Sequence, residues 1–421
     1  MNMQTRNDPF ILMAGVYLTV GLLAAIGTLT VEAGLLEPLP RLRWVTVHFV
    51  TIGGLTQAVF GVLPTFVAAH STGRRSSAGR SRWLQWVSVN AGYPLLLVGM
   101  STGSTITAGA GAILVLSALL SLLVTVVRLR SPSTATAGSA RYFRTAPWFL
   151  VVGILAALGM LFGVHGPGGY FGSLEAHVHA NVWGFLALVV AGVLLTVLPE
   201  LLGTDRRFPR ARTITYWGLT IGAAGLVVGP WTARHELTIG GLVIYVVGTG
   251  ALLASVVGTY RRSERRRDSR IALVLGAYFW LLVPVPIAPF VLLFPTAVPA
   301  AAIERAAING LVFGWLLQLA MAFLPVVAVA AGRDSVEFVD AIATAAETGP
   351  QPSWIQVGSA NAGMLLLWLT AVPLADGVAS LLTLGGYLLL AAAWAAFVVD
   401  LWTALAGERS VRRRLEETPF G

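Results

Sequence analysis

Apolar residues arrive along this chain in long runs broken by short polar segments, the pattern of helices that have lipid for a solvent. A helix needs about 20 residues to cross roughly 30 Å of hydrocarbon. Runs of that kind are expected near Phe10–Leu29, Val45–Ala69, Trp83–Met100, Ala110–Val127, Trp148–Val164, His177–Leu198, Thr215–Gly229, Gly240–Tyr260, Ile271–Phe294, Ala306–Ala331, Val357–Val372 and Leu381–Leu405. The pattern predicts an all-α polytopic membrane protein of about twelve transmembrane helices.

The runs also repeat. His48-Phe49-Val50-Thr51-Ile52-Gly53 opens the second, which continues through Gln57 and Gly61 to Leu63-Pro64. His179-Ala180-Asn181-Val182-Trp183-Gly184 stands in the sixth, which continues through Gly192 to Leu198-Pro199, and Asn309-Gly310-Leu311-Val312-Phe313-Gly314 in the tenth, continuing through Gln318 and Ala322 to Leu324-Pro325. The leading positions 48, 179 and 309 are separated by 131 and 130 residues, with glycine five places on in each. A second echo links Trp83-Leu84-Gln85…Asn90-Ala91-Gly92 in the third run to Trp354-Ile355-Gln356…Asn361-Ala362-Gly363 in the eleventh; the seventh shows no clear copy. The longer connection through Asp334–Gln351 absorbs the extra length of the last unit. Three parallel four-helix units in pseudo-threefold arrangement follow, near residues 1–130, 131–262 and 263–421, within a single membrane domain.

Composition agrees: 56% of the 421 residues are hydrophobic and 11% charged, too little polar surface to clothe a soluble protein of this size. Positive charge is nearly all arginine and is grouped. Arg74, Arg75, Arg80 and Arg82 follow the second run, Arg128, Arg130, Arg141 and Arg144 the fourth, Arg206, Arg207, Arg210 and Arg212 the sixth, Arg261 to Arg270 the eighth, and Arg409 to Arg414 the last. These loops are expected on the cytoplasmic side of a plasma membrane, with both termini inside. No cluster interleaves aromatics with its arginines, so lipid headgroups and not nucleic acid are the expected contact. Without cysteine, disulfides, thiolate metal sites and thiol nucleophiles drop out. Only Arg6 leads the first run and no small-residue cleavage site follows it, so an uncleaved helix is expected.

Candidate chemistry concentrates on histidine. Glu175-Ala176-His177-Val178-His179 places two imidazoles in the sixth run, and residues two apart on an α-helix lie about 200° apart. They are expected to address different neighbours, with His177 on the side of the glycine stripe and His179 opposite. Positions five, nine, thirteen and sixteen after the leading residue fall about 140° to 220° from it. That small-residue face suits either close helix packing or a flat macrocycle. Ionisable side chains inside a membrane are functional candidates by default. Glu32, Glu175, Glu200, Asp376 and Asp400 lie near helix ends, so no carboxylate relay for proton pumping is expected. Gln57, Gln318, Asn90 and Asn361 read as interhelical hydrogen-bond partners.

The stretch Ala176-His177-Val178-His179, with Trp183-Gly184-Phe185 and the distal Leu198-Pro199, resembles the two-histidine helix of the heme-copper oxidase superfamily, particularly its nitric oxide reductase-like and NnrS-like branches. That superfamily's main subunit has twelve helices in three arcs of four, and a heme-ligating histidine starts its second helix, where His48 stands. The family's two-histidine motif lies on the tenth helix, which here reads Arg305-Ala306-Ala307-Ile308-Asn309, and the seventh lacks the family's histidine pair for copper or non-heme iron. His70, His165 and His235 fall near loops, so a complete oxygen-reducing centre is not expected.

The resemblance implies heme b held by His48 and either His177 or His179, with copper on His177 or His179 plus Glu175 as a second candidate. The implied role is respiratory electron transfer or a nitric oxide or redox response, alongside an electron donor or partner subunit. The alternatives are a non-redox twelve-helix carrier, reading its substrate at repeat interfaces, and a cofactor-free assembly subunit. His165-Gly166-Pro167-Gly168-Gly169-Tyr170 reads as a turn, or as a lid or third-ligand loop.

Overall fold

The computed structural model describes residues 8–37, 41–69, 80–129, 137–204, 208–264, 268–294, 296–331, 338–372 and 376–417. His70, Arg74, Arg75, Arg130, Arg206, Arg207 and the start of the Asp334–Gln351 connection lie outside them. The described residues form helices and no strand. Among them are twelve long helical rods: α1 Pro9–Glu32, α2 Leu42–Ala69, α3 Arg80–Thr102, α4 Thr105–Arg128, α5 Ala137–Leu161, α6 Gly169–Leu201, α7 Pro209–Trp231, α8 His235–Arg262, α9 Ser269–Leu282, α10 Ala300–Ala330, α11 Trp354–Leu369 and α12 Asp376–Glu417. Eight of these are long and apolar enough to cross a membrane.

Local chemistry accounts for several ends. Asp8 caps α1 by accepting from the Phe10 and Ile11 amides, with Pro9 as the first helical residue. Ser104 caps α4 through the Thr107 amide, and Ser353 caps α11 through that of Gln356. Helix α9 stops at Leu282, short of the expected Phe294, because Pro284 and Pro286 cannot continue it; a short helix, Ala288–Leu293, follows. Another, Phe338–Thr348, lies in the long connection before α11.

The three motif helices stand apart from the rest. In α10, α6 and α2 the apolar windows are 94%, 83% and 78% buried, against 28–44% in the other five long apolar helices, whose remaining surface is left for lipid. Each also carries a π-helical segment: Phe49–Thr56 in α2, Ala180–Leu186 in α6 and Gly310–Leu317 in α10. Each segment begins directly after the leading residue, His48, His179 or Asn309. Well under 1% of residues in ordinary proteins are π-helical, so three segments in register express the repeat in the backbone itself.

Packing repeats as well. A Cβ on Gly54 of α2 would meet Leu18 of α1 at 2.7 Å, one on Gly184 of α6 would overlap Phe149 of α5, and one on Gly314 of α10 would meet Trp280 of α9 at 2.7 Å. Gly184 and Gly314, the motif glycines of the second and third units, and Gly54, one place after the motif glycine of the first, thus each seat a side chain from the first helix of their own unit. In each repeat the third and fourth helices close through glycine. A Cβ on Gly92 would come within 2.7 Å of the Gly111 carbonyl and one on Gly363 within 2.8 Å of the Gly386 carbonyl. In the middle repeat a Cβ on Gly241 of α8 would come within 2.9 Å of the Gly222 carbonyl in α7. Gly222 stands 130 residues after Gly92, so the seventh helix keeps the glycine of the motif after losing its flanking residues.

The chain divides into two compact units, Met1–Ala58 with Arg267–Gly332 and Thr344–Gly421, and Val59–Arg266 with Arg333–Ala343. The first holds α1, the start of α2 and α9–α12. Its interior is tied by polar groups on three helices: Trp280 Nε1 donates to Asn361 Oδ1 at 2.8 Å, and Asn361 Nδ2 donates to Gln318 Oε1 at 3.3 Å. Gly276 leaves room for that pair of amides. The second unit holds the rest of α2 and α3–α8. There Tyr142 donates to the Arg212 carbonyl at 2.6 Å, and the Arg141 guanidinium lies 4.4 Å from the Tyr216 ring centre.

Candidate functional site

Helix α6 begins at Gly169, two turns earlier than the apolar run suggested, so both of its histidines sit inside the helix instead of at its mouth. The loop before it is a turn seated on the end of α7. Gly168 donates its amide to the Trp231 carbonyl at 2.9 Å, and the glycines at 168 and 172 let the backbone ride against the Pro230 carbonyl. Gly169 takes φ +67°, which suits glycine in this turn. His165 is exposed and packs edge-on to Tyr170 with ring centres 5.8 Å apart. Below the turn, Ala176 and Ala180 bury against Val227 and Trp231 of α7.

The two imidazoles diverge. His177 Nδ1 lies 2.8 Å from the Gly153 carbonyl in α5, and His179 Nδ1 lies 2.7 Å from the Leu226 carbonyl in α7. The opposed directions expected from their spacing are present: His177 faces the same helix as the glycine stripe and His179 the other. The stripe itself is occupied. Phe149 fills the space at Gly184, and Phe143 with Tyr142 that at Gly192. Of the two readings of that face, close helix packing is the one the chain adopts here. The angles taken from an ideal α-helix do not carry through, because the π segment after His179 widens the turn and rotates everything beyond it.

His48, the residue before the first π segment, places its Nδ1 2.7 Å from the Trp44 carbonyl one turn back, with the two rings 3.9 Å apart. All three candidate imidazoles therefore share one arrangement. A carbonyl oxygen only accepts, so each contact places the proton on Nδ1 and the lone pair on Nε2. That is the tautomer a metal-ligating histidine needs, with one nitrogen held by the protein and the other turned to the metal. On this test the residues fit the iron of a heme. Asn181 Nδ2 lies 3.1 Å from His177 Nδ1 and donates to the His177 carbonyl at 2.9 Å. With Nδ1 already protonated toward Gly153, the second of these is the hydrogen bond and the first a contact.

Glu175 is exposed and shares a helix face with His179, four residues on, and not with His177. Among the described residues no three His, Asp or Glu side chains converge as a metal cluster. At the equivalent position in the third repeat Asn309 is 4% exposed and donates to the Tyr387 hydroxyl at 3.3 Å, so the slot that carries histidine in the other two repeats is there a structural hydrogen bond. Sequence reasoning missed the π segments, which no residue preference announces, and the carbonyl partners, which come from helices 24 and 47 residues away.

Compared with known protein families, residues 141–416 match the family described as NnrS protein, well over half of the chain. No curated protein matches it.

Proposed function

This chain belongs to the NnrS family, and from that premise and the shared geometry of its histidines we propose that it is a heme b-binding membrane protein of nitric oxide or redox response, a divergent relative of the heme-copper oxidase main subunit. The residues that would hold the heme are His48, His177 or His179. The observation that carries this reading is that Nδ1 of all three lies 2.7 to 2.8 Å from a backbone carbonyl, a contact that calls for the Nδ1–H tautomer. When bound, heme supplies one-electron chemistry and a coordination site for a diatomic gas.

The chain's own residues hold the imidazole rings in one orientation, raise ligand basicity through the Nδ1–H bond, and surround the ligand helix with apolar side chains that keep water away. Heme would suit these residues better than copper, because each imidazole offers a single Nε2 donor and, among the described residues, no three His, Asp or Glu side chains converge as a metal cluster. Copper on His179 with Glu175 is the second reading, favoured by their common helix face. Electron transfer would call for a respiratory donor or partner subunit, and the arginine-bearing loops support an orientation in the plasma membrane with both termini on the cytoplasmic side.

Reduced-minus-oxidised visible spectra of the purified protein, with iron and copper analysis, test the proposal. A b-type signal that disappears in His48→Ala and in one of His177→Ala or His179→Ala is the expected result. A colourless preparation without iron removes heme, and copper present in its place moves the reading to the Glu175–His179 face. A preparation free of both metals leaves the carrier or the assembly subunit.

A further inference from the structure

The carbonyl that holds His179 lacks the N–H partner that an ordinary α-helix would give it. Inside a helix the C=O of residue i accepts from the N–H of residue i+4. For Leu226 that residue is Pro230, which has no N–H. Pro230 lies one residue before the end of α7 and is buried, so water does not replace the missing donor. His179 Nδ1–H does, at 2.7 Å. His177 rests on a different footing: its acceptor is Gly153, whose i+4 partner Ala157 carries an N–H, so that carbonyl is shared.

We propose that Pro230 is a positioning residue for His179: by stripping the Leu226 carbonyl of its helical donor, it reserves that oxygen for Nδ1–H, fixes the imidazole as the Nδ1–H tautomer and leaves Nε2 as the ligating nitrogen. The physical drive is accounting of buried polar groups, since a carbonyl and an N–H both withdrawn from water are each costly unless paired. The same turn of α7 is fixed from the other side, because the Pro230 carbonyl backs on Gly168 and Gly172 at the entrance to α6. The ring and its acceptor thus sit on two segments that cannot slide independently. The proposal deepens the reading of His179 as a ligand and rests on it for its purpose, while the tautomer itself is a property of the metal-free protein.

The test is nitrogen-15 NMR of the full chain in nanodiscs, labelled on histidine and assigned through His179→Gln. In the metal-free wild type the protonated nitrogen of His179 is expected to be Nδ1. Pro230→Ala and Pro230→Ser each restore an N–H to the helix and are expected to move the His179 proton to Nε2 or to a mixture of both nitrogens, leaving His177 unchanged. Two variants guard against misfolding of one, and Pro147→Ala in α5 serves as the proline control with no effect on His179. A His179 that keeps its proton on Nδ1 in both Pro230 variants overturns the proposal. Where the wild type carries heme, the same variants are expected to raise its midpoint potential, because a ligand stripped of its Nδ1 bond donates less charge to iron. If the wild type proves colourless, the heme reading fails while the tautomer measurement still decides this one.

Discussion

Gly153 backs directly on the side-chain amide of Asn181, so closely that a Cβ on Gly153 would overlap that amide. The same glycine gives its carbonyl to His177. One residue of α5 therefore sets both the ring and the amide one turn below it, by having no side chain and by offering an acceptor. Gly153→Ala is expected to push Asn181 aside and lower stability by about 1–3 kcal/mol, the usual cost of overpacking. Measured by helix loss on titration with a denaturing detergent, Asn181→Ala in the same chain should recover much of the loss; additive losses in the double variant would dispose of the contact as its cause.

Because His177 and His179 bond to different helices, their variants should act independently. His177→Ala is expected to leave the nitrogen-15 signature of His179 in place, and the reverse. A change at one ring on removing the other would mean that a shared site, and not two separate acceptors, governs them.

The three glycine closures between third and fourth helices should cost alike. Gly92→Ala, Gly222→Ala and Gly363→Ala each place a Cβ within 3 Å of atoms on the facing helix, and each is expected to lose about 1–3 kcal/mol. Protease resistance of the folded protein in detergent provides the comparison. Tolerance at Gly222 alone would show that the middle repeat does not share the closure.

Asn361 couples Trp280 to Gln318 among α9, α10 and α11. Asn361→Leu leaves the indole N–H without its acceptor and is expected to cost about 0.5–2 kcal/mol, the range for hydrogen bonds between membrane helices. Trp280→Phe in the Asn361→Leu background should then be nearly silent in the same detergent titration. A full additional loss from Trp280→Phe would place its contribution elsewhere.

The all-α membrane class and the position of each long helix were legible in the chain itself, with most ends placed within a turn or two; the start of α5 and the ends of α9 and α12 lie about three turns from where the apolar runs put them. The runs of apolar residues at α1 through α12 answer only to the thickness of a membrane, and His48, His179 and Asn309 recur at near-constant spacing because each unit copies the same helix. The divergence of His177 and His179 was legible too, since a helix of known pitch dictates it. The family match to NnrS supports the membrane setting and the nitric oxide connection that the two-histidine helix suggested.

What only tertiary structure decided is which atoms those side chains meet. The Gly153 and Leu226 carbonyls belong to helices α5 and α7, and a backbone oxygen has no identity in a sequence until packing presents it. The π segments after His48, His179 and Asn309 are likewise a choice made in packing, since the same residues satisfy an α-helix by propensity. Even Pro230, plain in the sequence as a break in α7, became the keeper of His179 only once α6 and α7 lay side by side, because a missing donor matters only where a buried proton stands within reach of the carbonyl it leaves open.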